Sequence, residues 1–467
     1  MKIKFKHFKS LPLFIGIVIC TISCKKFVEV NNPPNLITTS QVFADSTDAT
    51  LAVIALYINI NNAYGLSPLN GAVTLYTGLS SDELVSSTAN QSLGQIYVNA
   101  VLPSNPDMSQ YWQPMYTGII YDTNACIAGI SASKTLSISV KNQLTGEAEV
   151  IRALAYFNMV NLFGGVPLVV NTNYNANAIL PKTSTDQVYT QIVADLTDAV
   201  SKLLTTYPSS GRVRPNKYTA EALLSRVYLY NQQWAKAETT ATDIINSGIY
   251  SLETDLNNVF LAGSNEAIWQ MLPNTAGYET TEGYTFVPTT TGVIPNYLIS
   301  NYLLDAFETG DQRKIKWLNS DTVNNTPYYY PYKYKLGQDN NTTPVENYMM
   351  FRLGEQYLIR AEARAELKES NAVNDLNIIR NRAGLPNYSG ATDENSLLAA
   401  ILHERQIELF CEWGNRWYDL KRTGTVNAVM SVVTPTKGGN WNPNDQLYPV
   451  PINEIQANPF LVQNPGY

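Results

Sequence analysis

The sequence predicts a mainly α-helical, all-α fold that carries one loop-rich, irregular insert. Three observations lead there. Outside residues 251–348, apolar residues recur at helical spacing in one segment after another. Two of these segments form helix–turn–helix blocks with small residues on the packing face. Within 251–348 the periodicity lapses, and Asn, Thr, Gly, Pro and Tyr take over. At 467 residues the chain can bury a large core without staples. Length alone suggests two to three domains.

The first element reads as a leader. Lys2, Lys4, Lys6 and Lys9 precede an apolar run over residues 11–22 and the junction Thr21-Ile22-Ser23-Cys24. A basic start, a dozen apolar residues and a small residue before a cut are the marks of a secretory signal, here residues 1–23. The run is too short to span a bilayer, which needs roughly 20 residues. The junction resembles a bacterial lipidation site, with Thr21 where Leu is usual, and Cys24 is the residue expected to carry the lipid. Losing the leader removes four lysines and no acid. The 32 basic residues fall to 28 against 39 acidic ones, and the net charge moves from −7 to −11. Such a chain is repelled by phosphate backbones, so nucleic acid is excluded as a partner.

Residues 24–40 are polar, with Pro33-Pro34, and suit a tether or wrapped arm. Residues 45–62 predict a helix with Ser46 or Thr47 as cap. A second helix over 108–131 places Trp112, Met115, Tyr116, Ile119, Ile120 and Ala125 at helical spacing. A third, 144–163, mixes Ala148, Ile151, Ala155, Phe157 and Val160 and is stopped by Gly164-Gly165 and Pro167. Residues 184–204 repeat the amphipathic pattern. The blocks follow: 219–230 with 234–247, and 351–367 with 371–382. Ala220, Ala222 and Ser225 in one, Gly354, Ala361 and Ala365 in the other, let helices approach closely. This alternation resembles tetratricopeptide repeats. The insert divides the helical parts into 41–250 and 349–467; it holds Tyr278, Tyr284, Tyr297, Tyr302 and the run Tyr328-Tyr329-Tyr330-Pro331-Tyr332, with helical spacing only over 297–307. Loops of this kind concentrate binding residues.

Five segments in order resemble the SusD/RagB family, surface glycan-binding lipoproteins of Bacteroidetes. They are Cys24-Lys25-Lys26-Phe27-Val28-Glu29-Val30 with Pro33, and Gly146-Glu147-Ala148 through Arg152 and Tyr156-Phe157 to Phe163-Gly164-Gly165-Val166-Pro167. Next come Phe351-Arg352-Leu353-Gly354-Glu355 through Ala361-Glu362-Ala363 to Ile379-Arg380-Asn381-Arg382-Ala383-Gly384, and Glu404-Arg405-Gln406-Ile407-Glu408-Leu409 to Gly414-Asn415-Arg416-Trp417-Tyr418-Asp419-Leu420-Lys421-Arg422. The last is Tyr448-Pro449-Val450-Pro451 with Gln463-Asn464-Pro465-Gly466-Tyr467. The resemblance implies one helical domain over 24–467 with tetratricopeptide-like repeats. It also implies lipid attachment to the outer membrane, exposure at the cell surface, and capture of an oligosaccharide or polysaccharide. The implied partner is a SusC-like TonB-dependent transporter, over which the protein closes as a lid without catalysis. The residues themselves predict an ion-pair and capping network among Glu404, Glu408, Arg405, Arg416, Asp419 and Arg422, with Trp417 and Tyr418 in the core. The 463–467 tail is expected to pack on the body.

Catalytic patterns are sparse. The histidines are His7 and His403, and only the second survives removal of the leader. His403-Glu404-Arg405-Gln406-Ile407 begins like a zinc-protease helix, but Ile407 stands where the second ligand belongs. No phosphate-cradling or dinucleotide loop is present, so no cofactor or metal is expected. Cys126 and Cys411 sit in apolar contexts and read as core residues. Asp82-Glu83, after Gly78-Leu79-Ser80-Ser81, is the best carboxylate pair for glycoside hydrolysis, though a solvated loop or cap accounts for it as well. A surface hydrolase and a protein–protein adaptor therefore stay as alternatives.

The composition favours sugars, with 30 Tyr, 7 Trp and only 15% charged residues. Flat aromatic rings stack on the C–H faces of pyranoses while amides and hydroxyls meet their edges. The stacking candidates are Tyr97 and Trp112 in and beside the 85–112 loop, Tyr278, Tyr284 and Trp317 in the insert, and Trp441 in Gly438-Gly439-Asn440-Trp441-Asn442-Pro443.

Overall fold

The computed structural model describes residues 38–61, 66–273, 277–337 and 344–467. The leader, Cys24 and most of the 24–40 arm lie outside the described residues. Helix α1 (Ser46–Ile60) is capped one residue earlier than expected. Asp45 accepts from the backbone of Thr47 and Asp48, the reach a carboxylate has toward the open N–H groups of a first turn. Helix α2 is Ala72–Ser80. The expected 108–131 helix is three pieces: α3 (Pro106–Pro114), a π turn over Met115–Ile120, and α4 (Tyr121–Ala132). Pro114 accounts for the break, because its ring clashes with the preceding turn and widens the helix there.

Helix α5 (Ile138–Phe163) is capped by Ser137, which accepts from Val140 N, and ends at Gly164 with φ 71°. Only a residue without Cβ takes that conformation freely. From α4 onward a single stack forms: α4 on α5, α5 on α6 (Thr185–Lys202), α6 on α7 (Lys217–Tyr230), and α7 on α8 (Trp234–Asn246). Next, α8 packs on α9 (Leu353–Glu366), which packs on both α10 (Ala372–Arg382) and α11 (Glu394–Glu408). Ala220, Ala222, Ser225, Ala361 and Ala365 are buried at these seams. Ser225 Oγ donates to Gln356 Oε1 at 2.7 Å, and Arg226 grips Glu355 through two bonds of 2.7 and 2.6 Å. This is the tetratricopeptide-like frame, continued by α12 (Asn415–Arg422) and α13 (Val426–Thr436).

Three two-stranded antiparallel pairs occur among the described residues. β1 (Leu84–Ser86) pairs with β3 (Tyr297–Ile299), β2 (Ala267–Met271) with β6 (Tyr348–Arg352), and β4 (Leu318–Val323) with β5 (Thr326–Pro331). Phe351 and Arg352, read from sequence as the start of a helix, end β6 instead. The expected helical stretch 297–307 divides into β3 and a short helix, Asn301–Ala306, capped by Ser300.

The ion-pair network exists and is larger than expected. Arg405 and Arg422 share Asp419, Arg422 also holds Glu362, and Arg416 reaches back to Asp82. Glu408 receives Arg313 at 3.0 Å and also Arg352 and Arg382, with all four side chains buried. Arg313 comes from the insert, so this cluster bolts the insert to α11. Trp417 and Tyr418 are fully buried. At the terminus Gln463 bonds both the N–H and the carbonyl of Val450, and Asn464 donates to Phe163 O and Tyr448 O. Cys126 and Cys411 are buried free thiols. No helix among the described residues is long and apolar enough to cross a membrane.

Candidate functional site

The β1–β3 pair brings the 87–97 loop against the insert. Ser87 N donates to Asn296 O at 3.0 Å and Ser87 Oγ to Pro295 O at 2.6 Å. Beside this seam stands the short helix Thr281–Phe286, capped by Thr280, whose hydroxyl accepts from Gly283 N. Phe286 meets Tyr297 edge to face at 6.1 Å. Gly283 is required here because a Cβ would lie 2.1 Å from the carbonyl oxygen of Leu336.

Three buried glutamates clamp the turn. Glu279 accepts from Val345 N and Glu346 N, each at 2.8 Å. Glu346 accepts from Lys335 N and Leu336 N. Glu282 accepts from Thr74 Oγ1 at 3.1 Å. Burial pushes the carboxyls of Glu282 and Glu346 up to about 7. On this support Tyr278 and Tyr284 form an edge-to-face pair, with ring centroids 5.3 Å apart. Tyr284 is 42% exposed and Tyr278 half-buried. Two rings that are rigidly set yet wet on one side form a platform for an apolar face with polar edges.

The other candidates fall elsewhere. Tyr97 ends the helix Gln91–Tyr97, half-buried, with Lys437 Nζ over its ring at 5.1 Å. That ammonium donates to the carbonyls of Leu79 (2.6 Å) and Ser81, and burial pushes it down to about 7. Trp441 lies beyond the same turn, edge to face with Trp417 at 6.1 Å, its Nε1 donating to Asn427. Tyr97 and Trp441 thus flank one segment, and Tyr278 and Tyr284 share another.

Two expectations are corrected. Trp112 is 2% exposed, wedged against Phe163 at 5.0 Å and Tyr116 at 5.3 Å. Trp317 is fully buried, donates to Leu256 O at 2.9 Å, and packs with Phe260, Phe410 and the ammonium of Lys333. Neither ring has a face for a ligand. Asp82 and Glu83 are no solvated loop either. Asp82 is held by Arg416 through bonds of 2.8 and 2.6 Å, and Glu83 accepts from Cys411 N at 3.2 Å. Both are buried, which removes the pair from substrate.

The structure adds Tyr329, 37% exposed on β5, where the pleat turns Tyr330 inward. The tyrosine run was visible in the sequence, but its alternation needs the strand. Asp321 of β4 accepts from Gly292 N and Val293 N, fixing this hairpin to the segment that follows the Thr281–Phe286 helix. The larger clefts lie elsewhere, one of about 570 Å³ between the ends of α9, α10 and α11 at Lys368, Glu369, Asp393 and Glu394. Among the described residues, clefts of this size do not include Tyr278 or Tyr284, and stacking on a flat face does not need concavity. Among the described residues no group of three or more His, Cys, Asp or Glu side chains could hold a metal ion.

A family model described as the SusD family matches residues 313–467, and one described as "Starch-binding associating with outer membrane" matches residues 27–229. The chain belongs to the SusD/RagB family. A SusD-like protein, P25 of Formosa agariphila, is 24% identical, with 98% of this chain and 99% of that protein covered. The crystal structure of a SusD superfamily protein from Bacteroides vulgatus superposes with a TM-score of 0.78 at 22% identity, covering 91% of this chain and all of that one. Surface glycan-binding protein A from Bacteroides thetaiotaomicron, in complex with laminarihexaose, gives 0.76 at 20% identity, over 90% and 99%.

Proposed function

We propose that the protein is a noncatalytic glycan-binding lipoprotein of the cell surface, anchored in the outer membrane through acylated Cys24. It would take up an oligosaccharide or polysaccharide and pass it to a SusC-like TonB-dependent transporter, closing over it as a lid. The observation that carries the reading is the Tyr278–Tyr284 pair, exposed on a turn that buried glutamates hold rigid. Rigid rings lose little conformational freedom on stacking, so their burial under a sugar yields net affinity. A relative of the same fold in complex with laminarihexaose supports a glycan as the ligand. Tyr97 and Trp441 are proposed as a flanking contact. The burial of Asp82 and Glu83 weighs against hydrolysis by that pair.

The test is affinity electrophoresis of the mature chain across a panel of polysaccharides, repeated with Tyr278→Ala and Tyr284→Ala. Each substitution should weaken binding by roughly 1–3 kcal/mol, the scale of base–aromatic stacking. Unchanged retardation in both variants would move the site off this turn. Steady release of reducing ends would replace the binding reading with an enzymatic one. Capture of the transporter without retardation by any glycan would favour an adaptor. Cys24→Ser should abolish fatty-acid labelling and membrane fractionation in cells.

A further inference from the structure

The segments that carry the candidate rings are poor in charge, and this narrows the ligand. Residues 87–104 contain no charged side chain, and residues 277–304 contain only Glu279 and Glu282. Both glutamates are buried and occupied from within, Glu279 by backbone N–H groups and Glu282 by Thr74. Residues 318–332 hold a single charge, Asp321, whose oxygens accept from Gly292, Val293 and Thr322. Residues 438–444, which carry Trp441, hold none.

The lysines that touch these rings are also engaged. Lys437, over Tyr97, donates to the Leu79 and Ser81 carbonyls. Lys335, over Tyr332 at 4.7 Å, donates to Lys316 O at 2.9 Å. Exposed in the same segment as Tyr284, alongside apolar Val293 and Ile294, are the hydroxyls of Thr289, Thr290 and Thr291 and the amide of Asn296. Such groups match the hydroxyl edges of a neutral sugar. A sulfate or uronate brought to this face would shed water without gaining a cation, a cost of several kcal/mol. The net charge of the whole chain, −7, adds repulsion at long range.

We infer that this surface selects uncharged glycans and rejects sulfated or uronic-acid polymers. The inference rests on the glycan-binding reading above and names its ligand class. The experiment is affinity electrophoresis of the mature chain in gels holding neutral polymers (laminarin, starch, xyloglucan) or anionic ones (alginate, polygalacturonate, carrageenan). Retardation by at least one neutral polymer and by none of the anionic ones is the expected result. For the neutral polymer that retards, titration calorimetry should give affinities within about twofold between low and high salt, because no ion pair forms for salt to screen. Retardation by an anionic polymer equal to or above that by the neutral ones overturns the inference and leaves glycan binding intact. A salt-dependent fall in affinity of on the order of tenfold for the neutral polymer also overturns it. Retardation by no polymer overturns the glycan-binding reading itself, and the two failures are thereby told apart.

Discussion

Replacing Glu408 with Gln removes one negative charge from the centre of the bolt between insert and frame. Its carboxylate receives three guanidiniums, from Arg313, Arg352 and Arg382, and is fully buried. Burial alone would raise this carboxyl, but Arg382, Arg352 and Arg313 together hold it well below the usual carboxylate range. The three arginines keep other partners: Asp311 and Glu404 for Arg313, Glu412 for Arg352, Glu266 for Arg382. The loss is therefore that of one broken buried pair rather than three, about 3–5 kcal/mol. At roughly 2.1 cal/mol/K per residue, the unfolding entropy of a chain this long is on the order of 0.9 kcal/mol/K, so Tm should fall by about 3–6 °C. The sign of the pH dependence follows from the depressed carboxyl. Its contribution is full above pH of about 4.5 and is lost as pH falls toward the folded-state value. Wild type and E408Q should thus differ by a constant amount at neutral pH and converge in acid. Denaturant titration followed by tryptophan fluorescence measures both, with hydrogen exchange over 311–335 as the local reading. A shift under about 1 kcal/mol at pH 7 would refute the view that this cluster holds the insert down.

Other outcomes follow from neighbouring features. Glu282 keeps its proton to about 7 when folded, so wild-type stability should decline between pH 4.5 and 7, by up to about 3 kcal/mol. E282Q should remove that share of the decline, visible as a flatter stability profile against pH. Gly283→Ala drives a methyl into the Leu336 carbonyl and should lower Tm and abolish glycan retardation. Gly94→Ala, in the open within the helix Gln91–Tyr97, should instead stabilise by about 0.5–1 kcal/mol. Trp317→Ala should cost about 3–5 kcal/mol in denaturant titrations while leaving the affinity of the folded fraction unchanged.

The helical frame was legible because its signals are local. Periodicity, the Gly164-Gly165 stop and the small residues of α7 and α9 each act within a few turns. The boundaries slipped where a single side chain overrules the pattern, as Asp45 does at the cap of α1 and Pro114 does inside 106–132. Phe351 and Arg352 carry on the helical spacing in sequence yet join a strand, because their partner β2 lies some eighty residues back. The site was half legible. An aromatic in a Tyr- and Asn-rich stretch looks available, and Tyr284 is, but Trp317 is not. Its neighbours Phe260 and Phe410 arrive from distant parts of the chain and Lys333 only through the pairing of β4 with β5, and no local pattern announces them. The same holds for Asp82, whose partner Arg416 sits at the other end of the sequence.

The pairing of β2 with β6 has a further consequence. The insert leaves the frame after α8 and returns at α9, yet those two helices pack directly on each other, and the ladder cinches the chain at the point of departure and return. The insert is in this sense a cassette on a closed neck. Its exposed turns can change while the stack beneath keeps its register, provided that Arg313, Trp317 and Lys333, which tie the insert to α11 and the core, stay in place. A graft confined to residues 277–304 would leave those ties in place, and under the proposed reading it should carry the glycan preference of its donor.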